Sequence, residues 1–315
     1  MASDLTTANF IYKRKYADRL ADVAMRAHPL FARIAKPGGF TGEDFSYPVR
    51  YANPQAVSGI FANAQTQSQA VAGAGSSGVK FRMLRRPKHG VVLMDGEAIA
   101  ACGDDGAFVE LVTLEMDGAL EEMGDAYGFE LYRNGTGVRG RRLSITGNVV
   151  TLETPDDARN FKVKMTIVAS PNADGSVPQA GSCKITAVDE DAGTITVDNP
   201  VNITGFANNM YLLRQGDQGT ALEGLALLTP LTAPVFGSDS FRGVDRGQDV
   251  KRLAGSRLTS AEASGNTIEE NAGRVAIKIG QGGDDKNKEL NLNPVRFWEV
   301  VRRVGAKTEH AGHGG

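Results

Sequence analysis

DDGAFVELVTLEMDGALEEMGDAYGFELYRN, residues 104–134, carries apolar side chains at Phe108, Leu111, Val112, Met116, Ala119, Leu120, Met123, Tyr127 and Leu131. That is the three-and-four spacing of one helical stripe. Asp104 or Asp105 supplies a cap at the start, and Gly135 follows Asn134 as a stop signal. At about 1.5 Å per residue the helix is roughly 40 Å long. A small compact domain needs less, so the segment reads as a support for something extended. Gly118, Gly124 and Gly128 lie inside it, each costing about 1 kcal/mol against Ala. The reading therefore expects close packing on the faces they occupy.

Upstream, residues 8–35 read as a helix with Ile11, Leu20, Val23, Leu30 and Phe31 apolar, ended by Pro37-Gly38-Gly39. Two strands follow, FSYPVRYA (45–52) and VKFRMLRR (79–86), separated by Asn53 to Gly78. The intervening piece is rich in Ala, Gly, Gln and Ser and has too few large apolar groups for a core of its own. A loop of that length inside a compact domain is functional or disordered as a rule, and two strands alone are marginal in water. If ordered, this limb must lean on something, and a neighbouring copy is the economical candidate.

Downstream the pattern changes to period two. SITGNVVTLET (144–154), KVKMTIVAS (162–170), SCKITAVDEDAGTITVDN (182–199) and NMYLLRQGD (209–217) read as short strands. The third is a hairpin candidate turning at Asp191-Ala192-Gly193. After a Pro- and Leu-rich connector (224–236), TIEENAGRVAIKIGQ (267–281) returns to helix with Ile268, Ala272, Val275, Ala276 and Ile279 on one side. A last helix opens with Asn293 as cap and Pro294 at its first position, and its Phe297, Trp298, Val301 and Val304 are expected to point inward. No fixed repeat is present.

The chain has 315 residues, 41% of them hydrophobic, enough for a real core split into two units. Its net charge of −2 argues against a polybasic nucleic-acid binder. Two distant cysteines, Cys102 and Cys183, make no disulfide framework, and a reducing compartment is the default. The N-terminal residues lack a signal-peptide apolar region and no run approaches membrane-spanning length, so a soluble intracellular product is expected. Charge is unevenly placed. Residues 1–36 hold seven Lys/Arg against three acids, and residues 80–88 add Lys80, Arg82, Arg85, Arg86 and Lys88 with no acid. From His89 to Tyr132 there is no Lys or Arg, while eleven Asp/Glu accumulate. Such blocks are either solvated faces or complementary patches between identical copies.

Chemical motifs are thin. Gly135-Thr136-Gly137-Val138-Arg139-Gly140 matches a dinucleotide fingerprint by letter, but it leaves a helix and enters strands, so no helix N-terminus meets a phosphate. Adjacent acids such as Glu121/Glu122 diverge by about 100° on a helix. His28 and His89 read as solvated or packing residues, and His310 and His313 lie in a glycine-rich tail without partner ligands. Asp189, Asp191 and Gly193 lack the Glu of a calcium loop. Neither an enzyme nor a cofactor or metal site is expected.

The order of segments resembles the major capsid proteins of tailed bacteriophages, the shell fold named after phage Hong Kong 97. FSYPVRYANPQAVSGIFANAQ (45–65) followed by VKFRMLRRPKHGVVLMDGEAIAA (79–101) is similar to that family's extended loop and its return. DDGAFVELVTLEMDGALEEMGDAYGFELYRNGTG (104–137) is similar to its spine helix. FRGVDRGQDVKRLAG (241–255) and LNLNPVRFWEVVRRVGAK (290–307) resemble later segments of its peripheral domain. The resemblance implies an α+β capsid-type fold with an N-terminal arm (1–36), an extended β-hairpin loop (37–95), a peripheral domain with the spine helix (96–137), a β-rich axial or insertion domain (138–239) and a peripheral continuation (240–315). Members continue past the last helix, so the ending AKTEHAGHGG reads as a truncation.

The same resemblance implies a structural subunit that forms hexamers and pentamers of an icosahedral shell around phage DNA, assembled in the host bacterial cytoplasm and located in the virion. Its implied partners are other copies of itself, with scaffold, portal and other head proteins; DNA is touched nonspecifically if at all, and no membrane is involved. Lys80, Arg82, Arg85 and Arg86 are expected to meet acids of a neighbour's helix, Glu115, Glu121 and Glu122 among them. An encapsulin-type compartment that encloses protein cargo is the first alternative. A β-rich carbohydrate-active or adhesive protein is the second, though 7% aromatics with one Trp make a poor sugar cleft.

Overall fold

A computed structural model describes Leu30, Ile34 and residues 44–69, 75–92, 105–280, 292 and 296–303, with backbone alone over 105–111 and at Gly280. The expected helix at 8–35 lies outside the described residues, except that the Ile34 N–H donates to the Leu30 carbonyl at 3.2 Å. The fold is α+β, with two antiparallel sheets and several helices. The chain divides into two units, residues 1–45 with 84–228 and residues 46–83 with 229–315.

In the first unit, helix α2 runs from Asp105 to Tyr132, within two residues of the expected 104–134. A shorter helix, α1 (Phe61–Gln69), precedes it in sequence and belongs to the second unit. Leu120, Gly124, Ala126, Gly128 and Glu130 of α2 are buried. Gly124 and Gly128 therefore sit on a packed face, as their helix cost suggested. Gly118 does not: a Cβ there meets nothing within 4 Å, which corrects that part of the reading. The spacing identifies an apolar side but not how far along the helix its cover extends.

The strands that follow close into a six-stranded antiparallel barrel: β3 (Val138–Thr146), β4 (Val149–Leu152), β5 (Thr166–Ser170), β6 (Cys183–Asp189), β7 (Thr194–Val197) and β8 (Tyr211–Arg214), in spatial order β3-β4-β7-β6-β5-β8. Two register shifts in β3, at Val138/Gly140 and Arg142/Ser144, let its first half pair with β8 and its second half with β4. Such bulges bend a strand, and here the bend closes the sheet. Alternation puts Val150 and Leu152 of β4, Ile195 and Val197 of β7, Ile167 and Ala169 of β5 and Leu212 of β8 inside, with Phe161, Met165, Ile185 and Ile203 completing the core. Each fully buried aliphatic side chain contributes about 1.5–3 kcal/mol.

The strands read at 162–170 and 209–217 are found as β5 and β8, and the hairpin at 182–199 as β6 and β7. Its turn places Gly193 at φ 65, a left-handed conformation favouring glycine, and the Ala192 N–H donates to Asp189 Oδ1 at 2.9 Å. The stretch read as a single strand at 144–154 is instead a hairpin, turning at Gly147-Asn148 between β3 and β4. Residues 138–143, unassigned in the sequence, form the first half of β3.

β1 (Asp44–Ala52) and β2 (Ser77–Leu84) form a two-stranded sheet, most of it in the second unit. The piece between them is not merely a loop, since it contains α1. No described side chain in 44–69 or 75–84 is buried. Farther along, Phe241 and Val244 bridge across a tight turn, and the Phe81 ring lies 6.1 Å from that of Phe241. Arg246 packs over Phe241 at 4.3 Å and forks onto Asp239, with Nε at 2.8 Å and Nη2 at 3.1 Å. Three short helices and a longer one lie over 225–280: α3 (Leu225–Leu228, in the first unit), α4 (Val250–Ala254, capped by Asp249), α5 (Ser260–Ala263, with a Thr259–Glu262 capping box) and α6 (Ile268–Gly280).

The last described helix, α7, spans 296–303. Its Phe297, Trp298 and Val301 were expected to face inward, yet they are exposed, Trp298 by 70%. No described helix is long and apolar enough to cross a membrane.

Candidate assembly surfaces

The paired strands β1 and β2 explain why the limb is ordered but not why it is apolar. Phe45, Tyr47, Met83 and Leu84 on the strands, Val57 and Ile60 ahead of α1, and Phe61 at its start are all exposed, Val57 and Phe61 by 82%. Scattered apolar residues on a surface are ordinary. Here, however, seven large ones fall on a limb with no buried side chain among its described residues. On β2 the burial pattern alternates, with half-buried Val79 and Phe81 between exposed Lys80 and Arg82. The strand therefore carries a cationic face beside an apolar one.

Of the seven residues expected at contacts between copies, Lys80, Arg82 and Arg85 are exposed on or just after β2, and Glu115 and Glu121 are exposed on α2. Arg82 also takes part in an interaction within the chain, as do the other two. Glu122 takes Arg214 of β8 at 2.7 Å and Lys162 at 2.9 Å, tying α2 to the barrel. Arg86 pairs with Glu223 at 3.3 Å and donates to the Gly219 carbonyl.

Arg86 opens onto a denser arrangement that the sequence reading missed. Residues 85–91 lie along α2 and line, with Glu122, Met123, Ala126, Arg214 and Asp217, a cleft of about 730 Å³. Gly90 lies so close to Met123 that a Cβ there falls 2.9 Å from its sulfur. At the end of the cleft Lys88 pairs with Glu130 of α2 and, at 3.0 Å, with Asp217 of the segment after β8. Arg139 of β3 reaches the same Asp217 at 3.4 Å and donates to the Asn160 carbonyl at 2.9 Å. Its guanidinium stacks on Phe129 at 4.4 Å, and that of Arg133 lies over the same ring at 4.8 Å.

Four separate pieces of chain thus meet in one charge network. Burial pulls the Arg139 guanidinium below its ordinary value against the upward pull of Asp217, and burial pushes the Tyr127 hydroxyl up. One clue to this network was present in the sequence. Glu130 stands three residues past Tyr127, on the apolar stripe itself, where a carboxylate demands a partner.

The glycine-rich match at 135–140 does leave α2 and enter β3. His89 is exposed at the cleft. Cys183 is buried in the barrel, its thiol pushed up to about 12 by burial first and Asp198 second. His28, Cys102, His310 and His313 lie outside the described residues. No protein-family model, no curated protein and no solved structure matches the chain.

Proposed function

We propose that the chain is a structural subunit of a viral shell of the tailed-bacteriophage type, self-associating into hexamers and pentamers of an icosahedral capsid that encloses DNA. The observation that carries this reading is the limb of β1, α1 and β2, whose strands pair with each other and which has no buried side chain among its described residues. A two-stranded sheet is marginal in water by itself, and a second copy that covers Phe45, Tyr47, Ile60 and Phe61 stabilises it at about 25 cal/mol for each Å² of apolar surface removed from water. Complementary charge supports the same reading. Lys80, Arg82 and Arg85 stand exposed, while Glu115 and Glu121 present the opposite sign on α2, and like chains carrying opposite patches associate in register. The role is mechanical rather than catalytic.

Sedimentation velocity of the full chain over a range of concentrations tests this. Pentameric, hexameric or larger species are expected, and Ile60→Ser with Phe61→Ser shifts them toward single chains. Unaltered protein that sediments as one chain at every concentration removes the proposal.

A further inference from the structure

Lys88 lies between two carboxylates contributed by different parts of the first unit, in a place nearly closed to solvent. Its ammonium pairs with Glu130 and stands 3.0 Å from Asp217 Oδ1, and the three side chains keep only 13%, 1% and 11% of their exposure. The second oxygen of Asp217, Oδ2, faces the Arg139 guanidinium at 3.4 Å. Glu130 is held by its other oxygen, Oε2, which accepts the Leu222 N–H at 2.9 Å, so that Oε1 is turned to Lys88. An amine, a carboxyl carbon, a carboxylate able to carry protons and a cation facing the carboxyl oxygen are therefore assembled at one point. Keeping an ammonium and a carboxylate out of water is costly even when they are paired, and condensing them into an amide removes both charges from the interior.

We propose that Lys88 and Asp217 become joined by an isopeptide bond formed within the folded chain, with Glu130 as the acid–base group. Glu130 first carries one proton from the ammonium to Asp217 Oδ1, leaving a neutral amine beside a neutral carboxyl; Lys88 Nζ then attacks Asp217 Cγ and the new C–N bond forms. Negative charge develops on Oδ2, against Arg139. Glu130 takes a second proton from the nitrogen and returns it to Oδ1, which leaves as water when its bond to Cγ breaks. The ammonium starts with three hydrogens; one remains on the amide nitrogen and two depart with Oδ1. Glu130 ends as it began, and nothing is oxidised or reduced. The bond staples residues 85–91 to the segment that follows β8, beside α2. It is an intramolecular step that goes beyond the shell reading and stands whether or not copies assemble.

Mass spectrometry of the purified full-length chain, intact and after proteolysis, tests it. The expected intact mass is one water below that of the sequence, with a branched peptide linking the stretch around Lys88 to that around Asp217. Lys88→Arg restores the full mass, and Glu130→Gln leaves the two peptides separate. A full sequence mass in the folded, incubated protein overturns the proposal. So does a water loss that maps to a linear peptide, the signature of ring closure at an aspartate instead of a crosslink. Crosslinking at an unaltered rate in Glu130→Gln overturns the acid–base role.

Discussion

Single residues carry strain and burial that can be tested without reference to assembly. Lys164 is exposed and sits at φ 71 just before β5, a conformation that disfavours any residue with a Cβ. Lys164→Gly is expected to raise stability by about 0.5–1 kcal/mol, read as a higher denaturant midpoint. Cys183 is the opposite case, relaxed but enclosed. Its thiol, pushed up to about 12, stays protonated at neutral pH, so alkylation at Cys183, followed by peptide mapping, should appear only on unfolding.

Asp239 supplies a pH dependence. The hydrogen bond from Arg246 is the main reason its carboxyl is held below the ordinary range. A carboxyl depressed in the folded state contributes its stabilisation fully above the ordinary carboxylate value and loses it as pH falls through the depressed one. Asp239→Asn should therefore flatten the acid limb of the stability–pH curve. The Arg246 fork was invisible in the sequence, where FRGVDRG shows a turn but not which acid an arginine will find.

At the scale of elements, the sequence was most legible where burial imposes a period. Helix α2 and strands β5 to β8 fall close to their expected places because one side of each faces a core. The first half of β3 was hidden by Arg139, Arg141 and Arg142, which break the apolar alternation. The structure accommodates two of these cations inside by other means: Arg142 stacks on Phe206 at 4.2 Å and donates to its carbonyl at 2.7 Å, while Arg139 rests on Phe129 and Asp217. Helix α1 escaped notice for the reverse reason. It buries nothing, and a periodicity reading cannot detect a helix without a packed face.

The exposed Phe297, Trp298 and Val301 of α7 mark the same boundary. Spacing finds the apolar side of a helix and is silent about what covers it. Two substitutions separate the packed from the open elements. Ile195→Ala in the barrel core is expected to cost about 2–5 kcal/mol. Gly118→Ala on the open part of α2, where nothing lies within 4 Å, should add about 1 kcal/mol of helix stability. Thermal or denaturant unfolding of the two variants distinguishes these signs directly.

For the whole molecule, the candidate surfaces were half legible. Runs of like charge are read from letters alone, and Lys80, Arg82, Arg85, Glu115 and Glu121 are indeed exposed. Arg86, Lys88 and Glu122 belong to the same runs but serve the chain's own architecture. Folding brings Glu223, Asp217 and Arg214 to them from 137, 129 and 92 residues away, a proximity that no local pattern encodes. Reversing Lys80 and Arg85 to Glu should therefore leave the unfolding transition within about 0.5 kcal/mol, as for ordinary surface changes, while weakening self-association and altering its salt response.

The most direct measurement is electron microscopy of the expressed full-length chain in negative stain. The account predicts rings of five or six copies or closed shells, lost in the limb variant Ile60→Ser/Phe61→Ser. A field of uniform single-chain particles, with the limb's apolar side chains protected from solvent labelling in the monomer, contradicts it.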